Sequence, residues 1–213
     1  MERSLVAEFE KTYREKDYRS LPWFSARPTP WVARAVRQGW VHRGRSLDLG
    51  CGAGTLALWL AQRGFQATGL DASASAIAIA NRRRPRGRRN PRFQVASALD
   101  PPFAARSFDL ATDIGLLHTL SPAQRRRYAR GLARVLRPGG DYLLTAFARE
   151  ERRGDVGPPY RLSVAEVVDL FEPGFEVHRV ETGSEWKEDG VPRSYAFHFR
   201  RRRSPQPPPG PIW

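Results

Sequence analysis

The sequence predicts an α/β domain whose sheet is mainly parallel and carries helices on both faces. Short apolar stretches with β-strand character alternate along the chain with stretches of helical periodicity, which is typical of strand–helix–strand units. The length of 213 residues suits one such domain with short additions. The hydrophobic content of 40% is ordinary for a globular protein, so the chain can bury a real core.

The first 40 residues are predicted to form a helical cover that precedes the sheet. Apolar side chains recur near helical spacing over residues 2–17, at Leu5, Val6, Phe9 and Tyr13. Residues 20–30 hold three prolines and two aromatics, which favours an ordered loop. A short helix is then expected over 31–38, ending at Gly39.

The sheet domain is predicted over residues 41–200. Its first strands are expected at 46–49, 66–70, 92–96, 108–112 and 142–146, with helices at 55–63, 73–83 and 122–136. Ser121 and Gln124 form a capping box that opens the last of these helices, and Pro138-Gly139-Gly140 is expected to stop it.

The C-terminal elements complete the predicted sheet. A second capping box at Ser163 and Glu166 opens a helix to about residue 170, and strands follow at 175–180 and 194–200. In the last strand aromatic residues alternate with Ala196 and His198, which predicts a half-exposed strand at or near a sheet edge. Residues 201–213 are rich in arginine and proline and are predicted to be a disordered tail.

The composition argues against several classes of protein. No apolar run approaches the roughly 20 residues that cross a bilayer, and the N-terminus has no apolar signal stretch. The single cysteine, Cys51, excludes an internal disulfide, and the four scattered histidines indicate no metal site. We therefore expect a cytoplasmic monomer or homodimer.

A glycine-rich segment, Leu47–Thr55 (LDLGCGAGT), lies between a predicted strand and a predicted helix. Gly50, Gly52 and Gly54 would let the backbone pass close to a ligand, and free amides at the helix start would face it. Open α/β sheets bind nucleotides at this place, the carboxyl end of the first strand.

The spacing and charge of this segment favour a cationic ligand over a dinucleotide. The glycines read G-x-G-x-G rather than G-x-G-x-x-G, and Asp48 stands two residues before the first glycine. A carboxylate there would repel a pyrophosphate, but it could hold an ammonium group directly or through water. S-adenosylmethionine carries an ammonium and a sulfonium and no phosphate, so the pattern indicates this methyl donor.

Acidic residues follow three further strands at the same edge of the sheet. Asp71, with Ala72 beside it, is placed to accept hydrogen bonds from ribose hydroxyls. Asp100 could accept from the adenine amino group, with the backbone of Leu99 near the ring. Asp113 is expected near the methionine half of the donor.

Asp113 and His118 are the candidate catalytic residues, since both flank the end of the fourth strand. His118 could act as a general base or orient the acceptor. It could equally be a histidine beside a helix that is hydrogen-bonded to backbone.

Five segments in order and spacing resemble the successive motifs of class I S-adenosylmethionine-dependent methyltransferases: LDLGCGAGT, GLDAS, SALD, FDLATDIGLLHTL and LARVLRPGG, over about residues 45–147. The resemblance implies a Rossmann-like, doubly wound sheet of seven strands, mostly parallel with an antiparallel last strand. It also implies Gly50, Gly52, Asp71 and Asp100 as donor contacts.

The N-terminal cover with its Pro-Trp-Phe sequence is similar to that of the thiopurine and thiol/halide methyltransferase group. That similarity implies that Trp23 and Phe24 pack against the donor or roof the acceptor pocket. Cys51 lies within the glycine-rich turn and is counted with the donor contacts. A nucleophilic role for its thiol is not favoured, because no basic partner that would activate it is visible.

The predicted function is methyl transfer from S-adenosylmethionine to a small-molecule nucleophile, such as a thiol or another soft atom. Two alternatives stay open: an RNA or protein methyltransferase, and a non-catalytic partner or scaffold that keeps the fold. The first would use the run Arg82–Arg92, which holds seven arginines in a chain of net charge +14. A solvated loop is the favoured interpretation of that run, so nucleic acid is not the favoured partner.

Overall fold

A computed structural model describes residues 2–148, 160–183 and 194–203. Its helices are α1 (Glu2–Glu15), α2 (Pro30–Arg37), α3 (Thr55–Gln62), α4 (Ala74–Arg83), α5 (Pro122–Val135) and α6 (Val164–Phe171). Its strands are β1 (Arg45–Leu49), β2 (Gln66–Asp71), β3 (Arg92–Val95), β4 (Phe108–Ile114), β5 (Leu136–Phe147), β6 (Phe175–Gly183) and β7 (Ser194–Arg201). Both predicted capping boxes are present, at the starts of α5 and α6.

The strands of the described residues form one seven-stranded sheet in the order β3-β2-β1-β4-β5-β7-β6. The pairs from β3 to β5 are parallel, and β7 runs antiparallel to both β5 and β6. The predicted sheet class is thereby confirmed. The strand order reverses between β1 and β4, and this switch point is where open α/β sheets leave a crevice for ligands.

The last strand lies next to an edge of the sheet, as predicted, but the prediction that one of its faces is exposed is wrong. β7 lies between β5 and β6, and its residues 196–199 are all buried. Phe197 and Phe199 pack in the main core, while His198 on the other face is buried against Asp141. The exposed edge strand is β6, where Val177 and Val180 are 40% and 37% exposed.

The fifth strand also begins earlier than predicted. α5 ends at Val135, and the chain passes directly into β5 at Leu136, so Pro138-Gly139-Gly140 belongs to the strand. The register against β4 shifts between Phe108 and Leu110, which absorbs the additional residues as a bulge.

Apolar side chains pack on both faces of the sheet and beneath the N-terminal segment. The larger cluster includes Leu132 of α5 and Phe171 of α6, and the cluster on the other face includes Val32 of α2 and Leu60 of α3. A third cluster lies between α1, the glycine-rich loop and α4: Tyr13, Leu21, Ala53, Ala76 and Ile79. α1 therefore packs beside the carboxyl ends of β1 and β2.

Some predictions fall wholly or partly outside the described residues. Of the predicted tail, Arg201 ends β7 and Arg202 and Arg203 follow it, while 204–213 lie outside the description. The charged loop after β5 and the tip of the last hairpin lie outside it as well. Within the described part of the chain, no helix has the length and apolar character needed to cross a bilayer.

Candidate functional site

The chain turns sharply between β1 and α3 at three glycines. Gly50, Gly52 and Gly54 have φ angles of +67°, +51° and +80°, in the left-handed region that side chains disfavour. A Cβ atom on Gly52 would lie 2.5 Å from the Tyr13 hydroxyl, and one on Gly50 would lie 3.0 Å from Cβ of Leu116. Glycine is therefore required at these positions both by the backbone angles and by the close packing of Tyr13 and Leu116 against the loop.

Asp71, at the end of β2, holds this loop in place. Its carboxylate accepts the N–H of Gly52 at 2.8 Å and the N–H of Ser73 at 2.9 Å. Burial raises the pKa of Asp71, although these N–H donors act in the opposite direction. Carboxylate oxygens have further lone pairs, so Asp71 can still accept hydrogen bonds from hydroxyls of a ligand.

Asp48 lies buried in β1, just before the loop. Its Oδ1 accepts a hydrogen bond from the Thr112 hydroxyl of β4 at 2.8 Å. The pKa of Asp48 is raised to about 7, mainly by burial. The nearby Asp113 and Asp71 act in the same direction, and the hydrogen bond from Thr112 acts against them. A cationic group placed at this position would favour the ionised carboxylate.

Asp113 lies near the carboxyl end of β4, at the same edge of the sheet as Asp48. Its hydrogen-bond partners lie within the protein. It accepts the N–H groups of Leu116 at 2.7 Å and Leu117 at 3.1 Å, and the Tyr128 hydroxyl at 2.9 Å. Burial raises its pKa to about 7. These contacts fix the turn that follows β4.

His118 lies in that turn and is only 6% exposed. Its Nδ1 accepts the backbone N–H of Phe147 at 3.2 Å, so the other ring nitrogen carries the proton, and its ring centroid lies 4.4 Å from that of Phe147. Burial lowers the pKa of His118 to about 3, and the charge of Arg125 acts in the same direction. The geometry therefore matches a neutral histidine bonded to backbone, and its catalytic role stays a prediction.

The N-terminal segment reaches the glycine-rich loop through two aromatic residues. The Trp23 indole N–H donates to the Tyr13 hydroxyl at 2.9 Å, and that hydroxyl lies beside Gly52. The Trp23 ring contacts Phe9 edge-on at 5.3 Å and is 39% exposed. Trp23 is thus at the surface next to the predicted donor site.

Phe24, unlike Trp23, packs against Tyr18 and Arg83. Its ring packs edge-on against Tyr18 at 5.0 Å, and the guanidinium of Arg83 lies 5.2 Å from its centre. Arg83 also donates to the Ala53 carbonyl at 2.6 Å and to the Thr55 hydroxyl at 2.9 Å. Phe24 and Arg83 therefore attach the N-terminal segment to the far side of the loop.

A second attachment joins α1 to the start of α4. The Glu10 carboxylate accepts the Ser73 hydroxyl at 2.7 Å, the Ser75 hydroxyl at 2.6 Å and the Ser75 N–H at 3.1 Å. These donors lower the pKa of Glu10 to about 2. Ser73 is also a partner of Asp71, so the cover and the predicted ribose contact share one helix terminus.

Asp100 does not join the other predicted donor contacts. It lies five residues after β3, and its carboxylate pairs with Arg134 of α5 at 3.3 Å. Leu99 is buried in the core, and its carbonyl would lie 3.1 Å from a Cβ atom on Gly131 of α5. The Asp100 side chain is 67% exposed beside Arg134, and its role as the adenine contact stays a prediction.

The two remaining predicted residues flank the loop. Ala72 is exposed directly after Asp71. The Cys51 sulfur would lie 2.8 Å from a Cβ atom on Gly69 of β2. Burial raises the pKa of the Cys51 thiol well above its usual value, with Asp71 and Asp48 adding to the effect, so the thiol is protonated and poorly nucleophilic.

Three residues of this site were not identified from the sequence: Glu10, Tyr13 and Thr112. Tyr13 was recognised only as part of the apolar side of a helix, and Thr112 only as part of a strand. Nothing in their local sequence marks them, because their roles depend on how α1 docks and how β4 pairs with β1.

The arrangement fits S-adenosylmethionine. Glycine backbone, Asp71 and Asp48 stand at the carboxyl ends of the two adjacent strands β1 and β2. Hydroxyl acceptors and a buried carboxylate suited to a cation are the groups that a ribose and an ammonium require.

Comparisons with known proteins identify the family to which the chain is similar. Residues 47–140 match the family described as Methyltransferase domain. The chain is 32% identical to the 2-heptyl-1-hydroxyquinolin-4(1H)-one methyltransferase of Mycobacteroides abscessus, over 92% of this chain and 91% of that protein. It is 28% identical to thiocyanate methyltransferase 1 of Arabidopsis thaliana, over 81% and 75% of the two chains.

A similar solved structure comes from work on the conversion of a disulfide bond into a thioacetal group during echinomycin biosynthesis. It superposes with a TM-score of 0.79 at 27% identity and covers 93% of this chain and 94% of its own. The likeness therefore extends through the N-terminal segment as well as the sheet.

Proposed function

The chain belongs to the class I S-adenosylmethionine-dependent methyltransferases, and we propose that it methylates a small molecule whose accepting atom ionises near neutral pH, such as a thiol. S-adenosylmethionine, when bound, supplies a methyl group already activated by a positive sulfonium. An acceptor that is ionised on arrival then needs placement and exclusion of water more than it needs a base.

The inward contacts of Asp113 and His118 carry this proposal. Both are buried, and their described partners are the turn after β4, the Tyr128 hydroxyl and the Phe147 N–H. A neutral imidazole whose pKa lies near 3 is a weak base. Among the described residues at this edge, neither predicted catalytic residue is thus poised to remove a proton from an acceptor.

The names of the relatives support the same acceptor class. One acts on a hydroxyquinolone and the other on thiocyanate, and both of these are small molecules. Thiocyanate is itself an anion, so its methylation requires no proton removal.

The chain's own residues supply the placement. Asp71 would hold the ribose, Asp48 the ammonium group, and the backbone of Gly50 and Gly52 would lie against the donor. Trp23 and Tyr13 would shield this assembly from water on the side of the cover. Phe147, at the end of β5 against His118, would border the acceptor.

The test is methyl transfer by the purified protein from labelled S-adenosylmethionine to a panel of a thiol, thiocyanate, a hydroxyquinolone and total RNA. We expect label in one or more of the small molecules, with kcat/KM following the pKa of the acceptor. His118→Asn should keep a similar pH profile, because the residue is not the base.

Two outcomes would contradict the proposal. Label in RNA alone would indicate a macromolecular substrate. Donor binding without transfer to any acceptor or to a fractionated cell extract would indicate a non-catalytic partner. We also propose a cytoplasmic location on the basis of the single cysteine.

A further inference from the structure

A cavity of about 530 Å³ lies at the end of the sheet where the parallel strands begin, opposite to the donor site at their carboxyl ends. At this edge β5 and β6 begin and β7 ends, because β7 runs antiparallel to both. The residues that line the cavity are mostly cationic or polar: His42, Arg137, Pro138, Gly139, Glu176, His178 and Arg200–Arg203.

Carboxylates neutralise part of the positive charge at this cavity. Asp109 pairs with Arg137 at 2.5 Å. The buried Asp141 accepts Arg200 at 3.0 Å and also holds His42 and His198. Glu176 pairs with Arg202 at 3.3 Å. Three of the five arginines therefore have a carboxylate partner.

The other two arginines have none among the described residues. Arg201 donates to the Leu136 carbonyl, and its pKa is lowered by burial and by the charge of Arg106. Arg203 is exposed, and its Nε lies 3.9 Å from a Cβ position on Gly139. The cavity thus holds an excess of positive charge that nothing described in the chain balances.

We propose that this cavity binds phosphate groups. A guanidinium presents N–H groups in a planar fork that matches two phosphate oxygens, and several guanidiniums here surround one space.

A phosphodiester chain fits the surroundings of the cavity better than a free phosphate does. Exposed arginines also lie where the other strands begin, at the same end of the sheet. Arg106 precedes β4, Arg43 precedes β1, Arg45 is the first residue of β1, and further arginines lie over 86–92, up to the first residue of β3. Seven strands spaced about 4.8 Å apart make this edge about 30 Å long. Residues 86–92 of the arginine run thereby belong to one cationic edge with the cavity, whereas Arg83 contacts the glycine-rich loop.

Nucleic acid bound at this edge would not be the methylated substrate. The donor site lies at the carboxyl ends of β1 and β4, and the cavity lies at the other end of the sheet. Binding here would localise the enzyme and leave the small-molecule reaction unaltered. The inference therefore does not depend on which acceptor is methylated.

The test measures binding of pyrophosphate and of a fluorescent single-stranded RNA of about 20 nucleotides to the full chain, at about 150 mM salt. The cavity variant is Arg201→Gln with Arg203→Gln, and Arg203→Gln alone serves if the double variant unfolds. The control removes the same charge from the exposed face of α5, Arg126→Gln with Arg127→Gln.

We expect the cavity variant to bind RNA about ten-fold more weakly and the control to lose about two-fold or less. Pyrophosphate should compete with RNA, and the affinity for S-adenosylmethionine should be the same in all variants. Binding of pyrophosphate without RNA binding would support the site and assign it to free phosphates. Equal losses in the two variants, or no binding of either probe, would overturn the proposal.

Discussion

The two ends of the sheet differ in how they carry charge. At the carboxyl ends of β1, β2 and β4, three carboxylates are buried or nearly so and are held by backbone N–H groups and hydroxyls. At the amino ends, arginines are mostly exposed and are only partly paired with carboxylates. One end is shaped before a ligand arrives, and the other is a solvated cationic surface.

Because of this difference, ligand binding at the two ends should depend differently on pH and on salt. Burial makes the ionised form of Asp48 costly until a cation arrives, so donor binding should depend strongly on pH and weakly on salt. Exposed arginines are hydrated and are screened by dissolved ions. Binding of an anion at the other end should therefore weaken strongly as the salt concentration rises. Variants at the donor end can therefore break one behaviour without affecting the other.

The largest effect is expected from Gly52→Val. The φ angle of +51° disfavours any side chain, and the new Cβ would lie 2.5 Å from the Tyr13 hydroxyl. Calorimetry should detect no donor binding. Gly39→Val is the matched control, since its φ is +69° and nothing lies within 4 Å of its Cβ position. If both variants bind the donor equally well, the loop does not contact it.

Asp71→Asn should have the next largest effect. The amide keeps only one acceptor oxygen for two N–H donors, so we expect a loss of stability of about 1–3 kcal/mol. Donor affinity should fall about 10–100-fold because a ribose acceptor is lost as well. Urea unfolding and calorimetry measure the two effects separately, and an unchanged donor affinity would remove Asp71 from the ribose site.

Asp48→Asn should have effects of opposite sign on stability and on binding. The folded-state pKa of about 7 lies above the unfolded value of about 4, so the parent protein without donor loses stability as pH rises from about 4 to about 7, and the loss levels off above pH 7. Asparagine stays neutral, so above pH 7 the variant should melt at the same temperature as the parent or higher.

Donor binding by Asp48→Asn should nevertheless be weaker, and the rise in donor affinity with pH near 7 should flatten. Thermal melting and calorimetry between about pH 6 and pH 8 test both statements. A variant that binds the donor as the parent does, with the same pH dependence, would separate Asp48 from the ammonium group.

The smallest effect is expected from Glu10→Gln. The change removes the charge that Ser73 and Ser75 stabilise, so α1 should detach from α4 more readily. We expect donor dissociation to be a few-fold faster in stopped-flow measurements, with little change in unfolding. Glu8→Gln, on the exposed side of the same helix, should leave the rate unaltered; equal rates in both variants would argue against the attachment.

The sequence predicted the donor end of the sheet better than the other end. Gly50, Gly52 and Asp71 lie in contiguous segments with a fixed relation to strand ends, so their meeting follows from the alternation of strands and helices. The cavity with His42, Arg137 and Arg203 combines segments from distant parts of the chain. Its assembly depends on the antiparallel course of β7, which no local pattern specifies.

One specific prediction failed for an identifiable physical reason. The alternation in β7 was interpreted as exposure of one face, but Asp141, which is distant in sequence, provides His198 with a buried partner. The assignment of Asp100 as an adenine contact stays a prediction, and Arg134 of α5 lies within ion-pair distance of its exposed carboxylate.

Glu10 and Arg83 join the N-terminal segment to α4 and to the glycine-rich loop. A donor bound at that loop would lie against the same elements, so cover docking and donor binding should strengthen each other by one coupling factor. Hydrogen exchange along α1 should therefore slow when the donor binds. An enzyme organised in this way would retain its cofactor through the beginning of its own chain.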